Sequence, residues 1–300
     1  MSERPLRDQI SSMEADGTIK PTTKICLLIA GKGKATGLGL AMHNGAYKAM
    51  HVDFYYIKAD TDDLKSRIEE IRASKGRIVG ASVTIPYKED IMQYLDHIDE
   101  RAKKIGAVNT VLNVDGKLHG YNSDWIGAEE ALEQVTELRR GMSAIVAGIG
   151  GGGMAISYML KEKGVEVTVY NRNVEKGRDA SDRLGIKFGG SLDDLSSAAQ
   201  ADIIVNTTSI GSRVSGYEGE SIIPKALLEK CTGAVAFDIV YLPRDTKFLI
   251  EAKEAGLKVV HGERMLLSQA VFQVQKFTGR EEVPVDVMER ELLSYLAKQA

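Results

Sequence analysis

The sequence predicts an α/β protein of two domains, the second of which contains a doubly wound parallel sheet. Its 300 residues are long for one domain and comfortable for two. Short apolar runs alternate with stretches of helical periodicity in two successive blocks, which is typical of parallel strands joined by crossover helices. A glycine-rich turn at residues 148–153 opens the second block.

The first block follows an N-terminal arm, residues 1–22, which is either loose or helical. Its buried strands are predicted at residues 25–30, 54–57 and 78–83, and its helices at 40–50 and 62–74. Two further apolar runs, 108–114 and 117–121, flank Asp115-Gly116. Asp-Gly between apolar runs is a strong signal for a tight β-hairpin.

The second block begins with a helix at residues 126–139, which Ser123 or Asp124 can cap and Gly141 can end. Strands are predicted at 144–147, 165–170, 202–206, 235–239 and 258–260, and the final helices at 265–278 and 287–297. Because a terminal helix often packs back on the first domain, we expect that domain to be discontinuous. The predicted domains are residues 1–125 with 264–300, and residues 126–263.

Composition excludes several functional classes. A net charge of -3 gives no electrostatic footprint for nucleic acid, and no apolar run approaches the ~18–20 residues that span a bilayer. The polar N-terminus lacks the apolar core of a signal peptide. Cys26 and Cys231 lie in or beside apolar segments, so we expect buried free thiols and a cytoplasmic protein. We expect no metal site.

The glycine-rich turn predicts a dinucleotide site. Gly148, Gly150 and Gly153 satisfy G-x-G-x-x-G between a predicted strand and a helix, with Gly151 and Gly152 beside them. In this motif the first glycine permits the tight turn, the second admits the pyrophosphate and the third allows close helix–strand packing. The alternative is a purely structural turn, for which five glycines in six positions would be costly.

The end of the next strand favours NADP over NAD. An NAD site usually has a carboxylate there for the ribose hydroxyls, but this strand is followed by Asn171 and Arg172. Arg172 can pair with a 2′-phosphate or stack on adenine, and Lys176 and Arg178 add positive charge, although a solvated basic face explains those two equally well.

Later in this block, three polar residues end the strand at 202–206 and are placed to contact the nicotinamide half: Asn206, Thr207 and Thr208.

Lys88 and Asp124 form a candidate proton-transfer pair. Lys88 is predicted at a helix start after Pro86, where the macrodipole disfavours a lysine and a functional reason is therefore plausible. A carboxylate can orient an ammonium group that gives or takes a proton at a substrate oxygen. From spacing alone, however, a surface lysine and a helix-capping aspartate are the more economical interpretation.

The chain resembles the shikimate/quinate dehydrogenase family from about residue 24 to residue 280. The resemblance rests on an ordered set of motifs: Ser82-Val-Thr-Ile-Pro-Tyr-Lys88, Gly106-Ala-Val-Asn-Thr110, Gly120-Tyr-Asn-Ser-Asp124, the glycine turn, Asn171-Arg172, Asn206-Thr-Thr, Asp238-Ile-Val-Tyr241-Leu-Pro243 and Met265-Leu-Leu-Ser-Gln269-Ala.

This resemblance implies reversible hydride transfer between NADP(H) and a ring carbon that alternates between ketone and alcohol, as in the reduction of 3-dehydroshikimate. It implies that Lys88 and Asp124 are the catalytic pair, and it adds Gly262 to the cofactor-binding residues. The residues it implies for substrate binding are Thr84, Asn109, Tyr241 and Gln269, with Gln273 one helical turn beyond and facing the same cleft.

The sequence departs from the family in the segment that holds the substrate carboxylate. The family usually has Ser-x-Ser-Pro-x-x-His-Asn after the first strand, and here Gly37 and Gly39 replace both serines. Losing two charge-assisted hydrogen bonds could weaken binding on the order of 100-fold. The preceding Lys32, Lys34 and Thr36 either replace those donors or simply decorate a mobile loop.

Two more departures lie near the catalytic motifs. Ser82 stands where the family usually has asparagine, and Trp125 follows Asp124 where glycine is common. Trp125 either walls the pocket or packs between domains. The substrate is therefore predicted to be shikimate or a related small cyclic acid such as quinate or an aminoshikimate. A cofactor-binding regulatory protein without turnover is the alternative from another class. The sequence does not distinguish a monomer from a homodimer.

Overall fold

The computed structural model describes residues 5–34 and 36–299. The chain divides into two compact units. The first contains the chain up to Ser123 together with Ala270–Tyr295, and the second contains Asp124–Gln269 and the residues from Leu296 onward. The chain thus enters the second unit at Asp124, returns to the first within a long helix, and ends in the second.

The first block of the chain supplies six strands and four helices. The strands are β1 (Lys24–Ile29), β2 (Phe54–Lys58), β3 (Ile78–Val83), β4 (His97–Ile98), β5 (Thr110–Val114) and β6 (Lys117–Tyr121). The helices are α1 (Leu6–Ala15), α2 (Leu38–Ala49), α3 (Leu64–Ala73) and α4 (Glu100–Ile105).

These strands form one mixed sheet in the order β2-β1-β3-β5-β6-β4. Strand β1 pairs in parallel with β2 and β3, as the strand–helix alternation predicted. Strands β5 and β6 pair antiparallel through a turn in which Asp115 and Gly116 have φ of 50° and 84°. Two positive φ values are what a tight hairpin turn requires, so the predicted hairpin is confirmed.

The second block supplies six more strands and the remaining helices. The strands are β7 (Ser143–Ala147), β8 (Glu166–Tyr170), β9 (Lys187–Gly190), β10 (Ile203–Asn206), β11 (Val235–Asp238) and β12 (Lys258–Val260). The helices are α5 (Asp124–Glu133), α6 (Gly151–Glu162), α7 (Val174–Leu184), α8 (Lys225–Lys230), α9 (Lys247–Glu254), α10 (Gly262–Thr278) and α11 (Val285–Ala297).

All neighbouring strands of the second sheet are parallel, in the order β12-β11-β10-β7-β8-β9. Numbered within this unit, the order is 3-2-1-4-5-6, the doubly wound Rossmann order. The winding direction reverses between β7 and β10. Ligands of such sheets bind outside the carboxyl ends of the strands at this switch point, so the fold itself locates a binding region there.

Several predicted boundaries are wrong for local reasons. The helix predicted at 126–139 is α5 and ends at Glu133, where the Val135 and Thr136 N–H groups both donate to the Leu132 carbonyl and close the helix. The short elements β4, α4 and β9 were not predicted, since segments of two to six residues carry little periodicity. Within the described ranges, no helix is long and apolar enough to cross a membrane.

Both cysteines are buried free thiols, as predicted. Burial raises the pKa of the Cys26 thiol to about 12, which keeps it protonated and unreactive at neutral pH.

Candidate active site

Lys88 lies in a turn beyond the carboxyl end of β3. The turn covers residues 85–89 and precedes a short 3-10 helix, Asp90–Tyr94. The Lys88 carbonyl accepts a hydrogen bond from the Val108 N–H at 2.7 Å, which anchors the turn to the chain ahead of β5. The prediction that Lys88 starts a helix is wrong, since the helix begins two residues later. The argument from the macrodipole therefore does not apply to it.

Backbone hydrogen bonds bring Thr84 and Asn109 to the same end of the sheet. The Val83 N–H donates to the Asn109 carbonyl at 2.8 Å, and the Thr84 N–H donates to the Ile29 carbonyl at 2.9 Å. Three residues that the sequence proposed for the site, Thr84, Lys88 and Asn109, thus lie on adjoining segments.

The side chain of Asn109 is held in one orientation. Its Oδ1 accepts hydrogen bonds from the Thr110 hydroxyl at 2.8 Å, the Ser123 N–H at 2.8 Å and the Ser123 hydroxyl at 3.2 Å. A backbone N–H can only donate, so the atom facing Ser123 must be the oxygen. The Asn109 NH₂ group therefore points the other way.

Gln273 joins the same network from α10 and is only 6% exposed. Its Oε1 accepts from the Ser82 hydroxyl at 2.8 Å, and its Nε2 donates to Thr110 Oγ1 at 3.2 Å. The amide therefore has a protein partner at each end. Gln273 links β3, β5 and α10, which gives it a positioning role that the sequence did not reveal.

An aromatic cluster lies behind this network. The His43 ring stacks on Tyr56 with centroids 4.0 Å apart, and its Nδ1 lies 3.4 Å from the Tyr47 hydroxyl. Burial lowers the pKa of His43 to about 3, although a hydrogen bond with Gln273 opposes this effect. His43 is therefore neutral at physiological pH and structural in character.

The second unit contains the remaining proposed catalytic and substrate-binding residues, which are Asp124, Tyr241 and Gln269. Asp124 begins α5 and is 1% exposed, and Trp125 follows it half-buried. Tyr241 comes three residues after β11, and Gln269 lies on α10; both are half-buried. Gln269 and Gln273 are four residues apart on one helix and so share a face of it.

The glycine turn connects β7 to α6, and at two of its positions there is no space for a side chain. Gly148 has φ of 99°, and a Cβ there would lie 2.9 Å from Thr207 Oγ1. A Cβ at Gly153 would lie 2.4 Å from the Gly148 carbonyl oxygen and 2.7 Å from Thr207 Oγ1. These two positions need glycine because of the folded chain itself.

Gly150 differs, because a Cβ there would meet nothing within 4 Å. It precedes Gly151 at the start of α6, which has no side-chain N-cap and no acidic residue in its first turn. The open space beside an uncapped helix start fits the close approach of a pyrophosphate. Gly152 and Gly262 instead approach Ile239, whose carbonyl oxygen would lie 2.5 Å from a Cβ at Gly262.

Asn171 braces this turn from β8. Its Oδ1 accepts from the Ile149 N–H at 3.2 Å, and its Nδ2 donates to the Asn173 carbonyl at 2.8 Å. Arg172 beside it is exposed. The strand end thus presents an amide and a guanidinium, with no carboxylate at the position where an NAD site usually has one.

The three polar residues after β10 make mainly internal contacts. The Thr207 hydroxyl lies within 3.0 Å of the Ala147 and Gly148 carbonyls, and Thr208 contacts Asn206 Oδ1 through its N–H and its hydroxyl. Asn206 Nδ2 donates to Asp238 Oδ1 at 3.0 Å. These side chains fix the switch point from within.

Asp238 is a fully buried carboxyl that the sequence did not single out for the site. Burial raises its pKa to about 7, and hydrogen bonds from the Val240 N–H, Thr246 and Asn206 act in the opposite direction. The signal that could have found it is the motif Asp238-Ile-Val-Tyr241-Leu-Pro243, which begins at this residue. No group of three or more potential metal ligands occurs in the described parts of the chain.

The loop that contains Gly37 and Gly39 contacts Tyr295, which the sequence did not predict. The Gly37 N–H donates to the Tyr295 hydroxyl at 3.1 Å. Lys32, one candidate to replace the missing serines, has its ammonium group 2.6 Å from Asp62. No sequence signal links positions 37 and 295, because 257 residues separate them and Tyr295 belongs to no recognisable motif.

The comparisons with known proteins match this arrangement. The family model for the shikimate dehydrogenase substrate binding domain matches residues 29–111, and that for the shikimate 5′-dehydrogenase C-terminal domain matches residues 262–293. A shikimate dehydrogenase (NADP(+)) of Pyrococcus furiosus is 38% identical over 283 residues, which cover 94% of this chain and 99% of that protein. The chain belongs to the shikimate dehydrogenase family.

Solved structures agree with this membership. Shikimate dehydrogenase of Thermus thermophilus, in complex with NADP(H) and shikimate, superposes with a TM-score of 0.79 at 33% identity over 90% of this chain and 99% of that one. A quinate dehydrogenase of Corynebacterium glutamicum in complex with NAD gives 0.80 at 27% identity, over 91% of this chain and 99% of that one. The family resemblance and the two-domain α/β fold predicted from the sequence are thus confirmed.

Proposed function

We propose that the protein is an NADP-dependent dehydrogenase that interconverts shikimate and 3-dehydroshikimate, or a close cyclic hydroxy acid and its ketone. The observation that carries this proposal is the 38% identity, over almost the whole of both chains, to a shikimate dehydrogenase (NADP(+)). The Rossmann strand order and the polar network at the ends of β3 and β5 are consistent with it.

The residues of the second unit fit a phosphorylated dinucleotide. Gly150 leaves open space at the uncapped start of α6, Gly151 to Gly153 continue the turn, and Asn171 with Arg172 offers no carboxylate to repel a 2′-phosphate. Asn206, Thr207, Thr208 and Gly262 remain proposed as cofactor-binding residues. When bound, NADPH supplies the hydride for ketone reduction.

Lys88 and Asp124 are proposed as the catalytic pair. As hydride reaches the ring carbon, negative charge develops on the former ketone oxygen, and the Lys88 ammonium group would donate a proton to that oxygen. In the reverse direction neutral Lys88 would accept the proton. Asp124 would stabilise the charged lysine and fix its direction.

The remaining proposed residues would orient the ring. Asn109 can donate from an amide held by Thr110 and Ser123, so it suits a ring hydroxyl oxygen or a carboxylate. Thr84, Tyr241, Gln269 and Gln273 are proposed as further contacts, and the partners of Gln273 at both amide ends favour a positioning role for it.

The division of labour between domains stays a prediction. Residues 1–125 with 264–300 are proposed to bind the substrate, and residues 126–263 to bind the cofactor. The match of the substrate-binding family model to residues 29–111 supports the first assignment. The partner is a small cyclic hydroxy acid. A cytoplasmic location stays a prediction supported by two buried free thiols.

A second candidate substrate is quinate or an amino-substituted analogue. Gly37 and Gly39 favour it, because the family serines that hold the carboxylate are absent. The related quinate dehydrogenase structure, solved with NAD, shows that the fold serves such a substrate in a relative.

One assay panel tests the proposal: shikimate, quinate and aminoshikimate, each with NADP and with NAD. We expect the highest kcat/KM for one of these acids with NADP. A higher kcat/KM with NAD would contradict the cofactor assignment. Absence of turnover with every acid would favour the alternative of a cofactor-binding regulatory protein.

A further inference from the structure

The Tyr295 ring lies in the space that a side chain at position 37 would need. A Cβ at Gly37 would lie 3.2 Å from Tyr295 Cε2 and 3.3 Å from the Tyr295 hydroxyl oxygen. Those distances are tighter than ordinary side-chain contacts, so a serine at position 37 would press on the tyrosine. The loss of a side chain at position 37 and the presence of a hydroxyl from residue 295 are therefore structurally coupled.

The position of Tyr295 is set by the packing of α11 along α2. Further along α2, a Cβ at Gly45 would lie 2.8 Å from Glu291 Cγ and 3.7 Å from Val287 Cγ1. Val287, Glu291 and Tyr295 are spaced four residues apart and so follow one face of α11. The two helices approach closely at both places, which brings the Tyr295 ring to the start of α2.

The Tyr295 hydroxyl has a proton available for a ligand. Its oxygen accepts from the Gly37 N–H at 3.1 Å, so its own proton points elsewhere. Among the residues that the structure describes, none is recorded as an acceptor for that proton. The Tyr295 side chain as a whole is half-buried.

The second glycine has a different neighbour. A Cβ at Gly39 would lie 4.0 Å from the Tyr56 hydroxyl. That tyrosine is fully buried and its ring stacks on His43. Tyr295 is half-buried and is therefore the better placed of the two tyrosines to contact a ligand.

We propose that Tyr295 is a substrate-contact residue whose hydroxyl donates to the carboxylate of the cyclic acid, in place of the side chain that Gly37 lacks. This inference rests on the proposed function, which supplies an acid substrate. The Tyr295 hydroxyl comes from α11, whereas a serine hydroxyl at position 37 would come from the loop itself. The bound carboxylate therefore lies at a different depth in the site from the one that a serine would set. Tyr295 therefore also contributes to the choice of ring acid.

The test compares an acid with its neutral ester. Tyr295→Phe keeps the ring that packs at Gly37 and removes only the hydroxyl. KM for the preferred acid should rise about 10-fold or more, as expected for one hydrogen bond to a charged group, with little change in kcat. The KM for the methyl ester of the same acid should change much less. Tyr94→Phe, which removes another hydroxyl of the same unit, is the matched control and should change neither.

Two results would overturn the inference. One is an unchanged KM for the acid in Tyr295→Phe. The other is an equal loss for acid and ester, which would mean that the hydroxyl only supports the Gly37 backbone. Melting temperatures of both variants check that the fold is intact. If the wild-type protein turns over none of the ring acids, the proposed function itself fails, and this is seen before any variant is made.

Discussion

The two sheets prepare their ligand-facing ends in opposite ways. The first places polar side chains there and holds them with one another, as Ser82, Gln273 and Thr110 do around Asn109. The second places glycines there instead, and the exposed Gly150 precedes an uncapped helix start. We therefore expect substitutions at the ligand-facing end of the first sheet to change the rate of the reaction. Substitutions at the corresponding end of the second sheet should change cofactor binding or stability.

The largest expected effect tests the chemical side of this comparison. Lys88→Ala should lower kcat by roughly 10²- to 10⁴-fold, because it removes the proposed proton donor. NADPH binding, measured by its fluorescence, should remain nearly unchanged. Lys104→Ala, at an exposed lysine on α4, serves as the control. A kcat close to that of the wild type in Lys88→Ala would exclude the lysine as the proton donor.

Two glycines of the turn should separate folding from binding. Gly153→Ala forces a Cβ against the Gly148 carbonyl and should cost about 1–3 kcal/mol of stability. Gly150→Ala meets nothing in the protein and should keep the wild-type melting temperature while weakening NADP binding. Thermal melts with and without NADP measure both effects. Equal destabilisation by the two variants would show that Gly150 is also structural.

The pH dependence of stability should have opposite signs in the two units. Asp238 has its pKa raised from 3.8 to about 7, so its stabilising contribution is complete below pH 3.8 and is lost as the pH rises to about 7. His43 has its pKa lowered from 6.5 to about 3, so its contribution is complete above pH 6.5 and is lost as the pH falls.

Urea unfolding at about pH 5 and about pH 7.5 tests these signs, because each shift is worth up to about 4 kcal/mol over its whole window. Asp238→Asn should stabilise the protein more at the higher pH than at the lower. His43→Gln should remove a loss of stability that the wild type suffers at the lower pH. If Asp238→Asn has the same effect at both pH values, the Asp238 carboxyl does not titrate in this range.

The smallest expected effect concerns the choice of cofactor. Asn171→Asp places a carboxylate where a 2′-phosphate is expected and should raise KM for NADP about 10-fold, with a smaller change for NAD. It also replaces the N–H that donates to the Asn173 carbonyl, so Asn173→Ala is a useful control for damage to the start of α7. Unchanged selectivity would place the 2′-phosphate away from residue 171.

The two regions also differ in what their sequences reveal. The glycine turn and its flanking strand and helix were predictable, because a local motif dictates them. The network around Gln273 was not, because Ser82 and Gln273 are 191 residues apart and only the assembled sheet joins them. The same holds for Tyr295 at Gly37, where the sequence showed the missing serines but not the helix that comes to the loop. The misplacement of Lys88 on a helix arose from a local pattern that the turn at Pro86 overrides.

The fixed amide of Asn109 has a consequence for selectivity. The Asn109 oxygen already accepts from Thr110 and Ser123. As the proposed contact to the ring, Asn109 would therefore favour a group that accepts a hydrogen bond over one that can only donate. A ring alcohol can turn its oxygen toward the NH₂ group, but a protonated ring amine cannot. An amino-substituted acid is therefore disfavoured if its nitrogen faces Asn109, whatever its fit elsewhere.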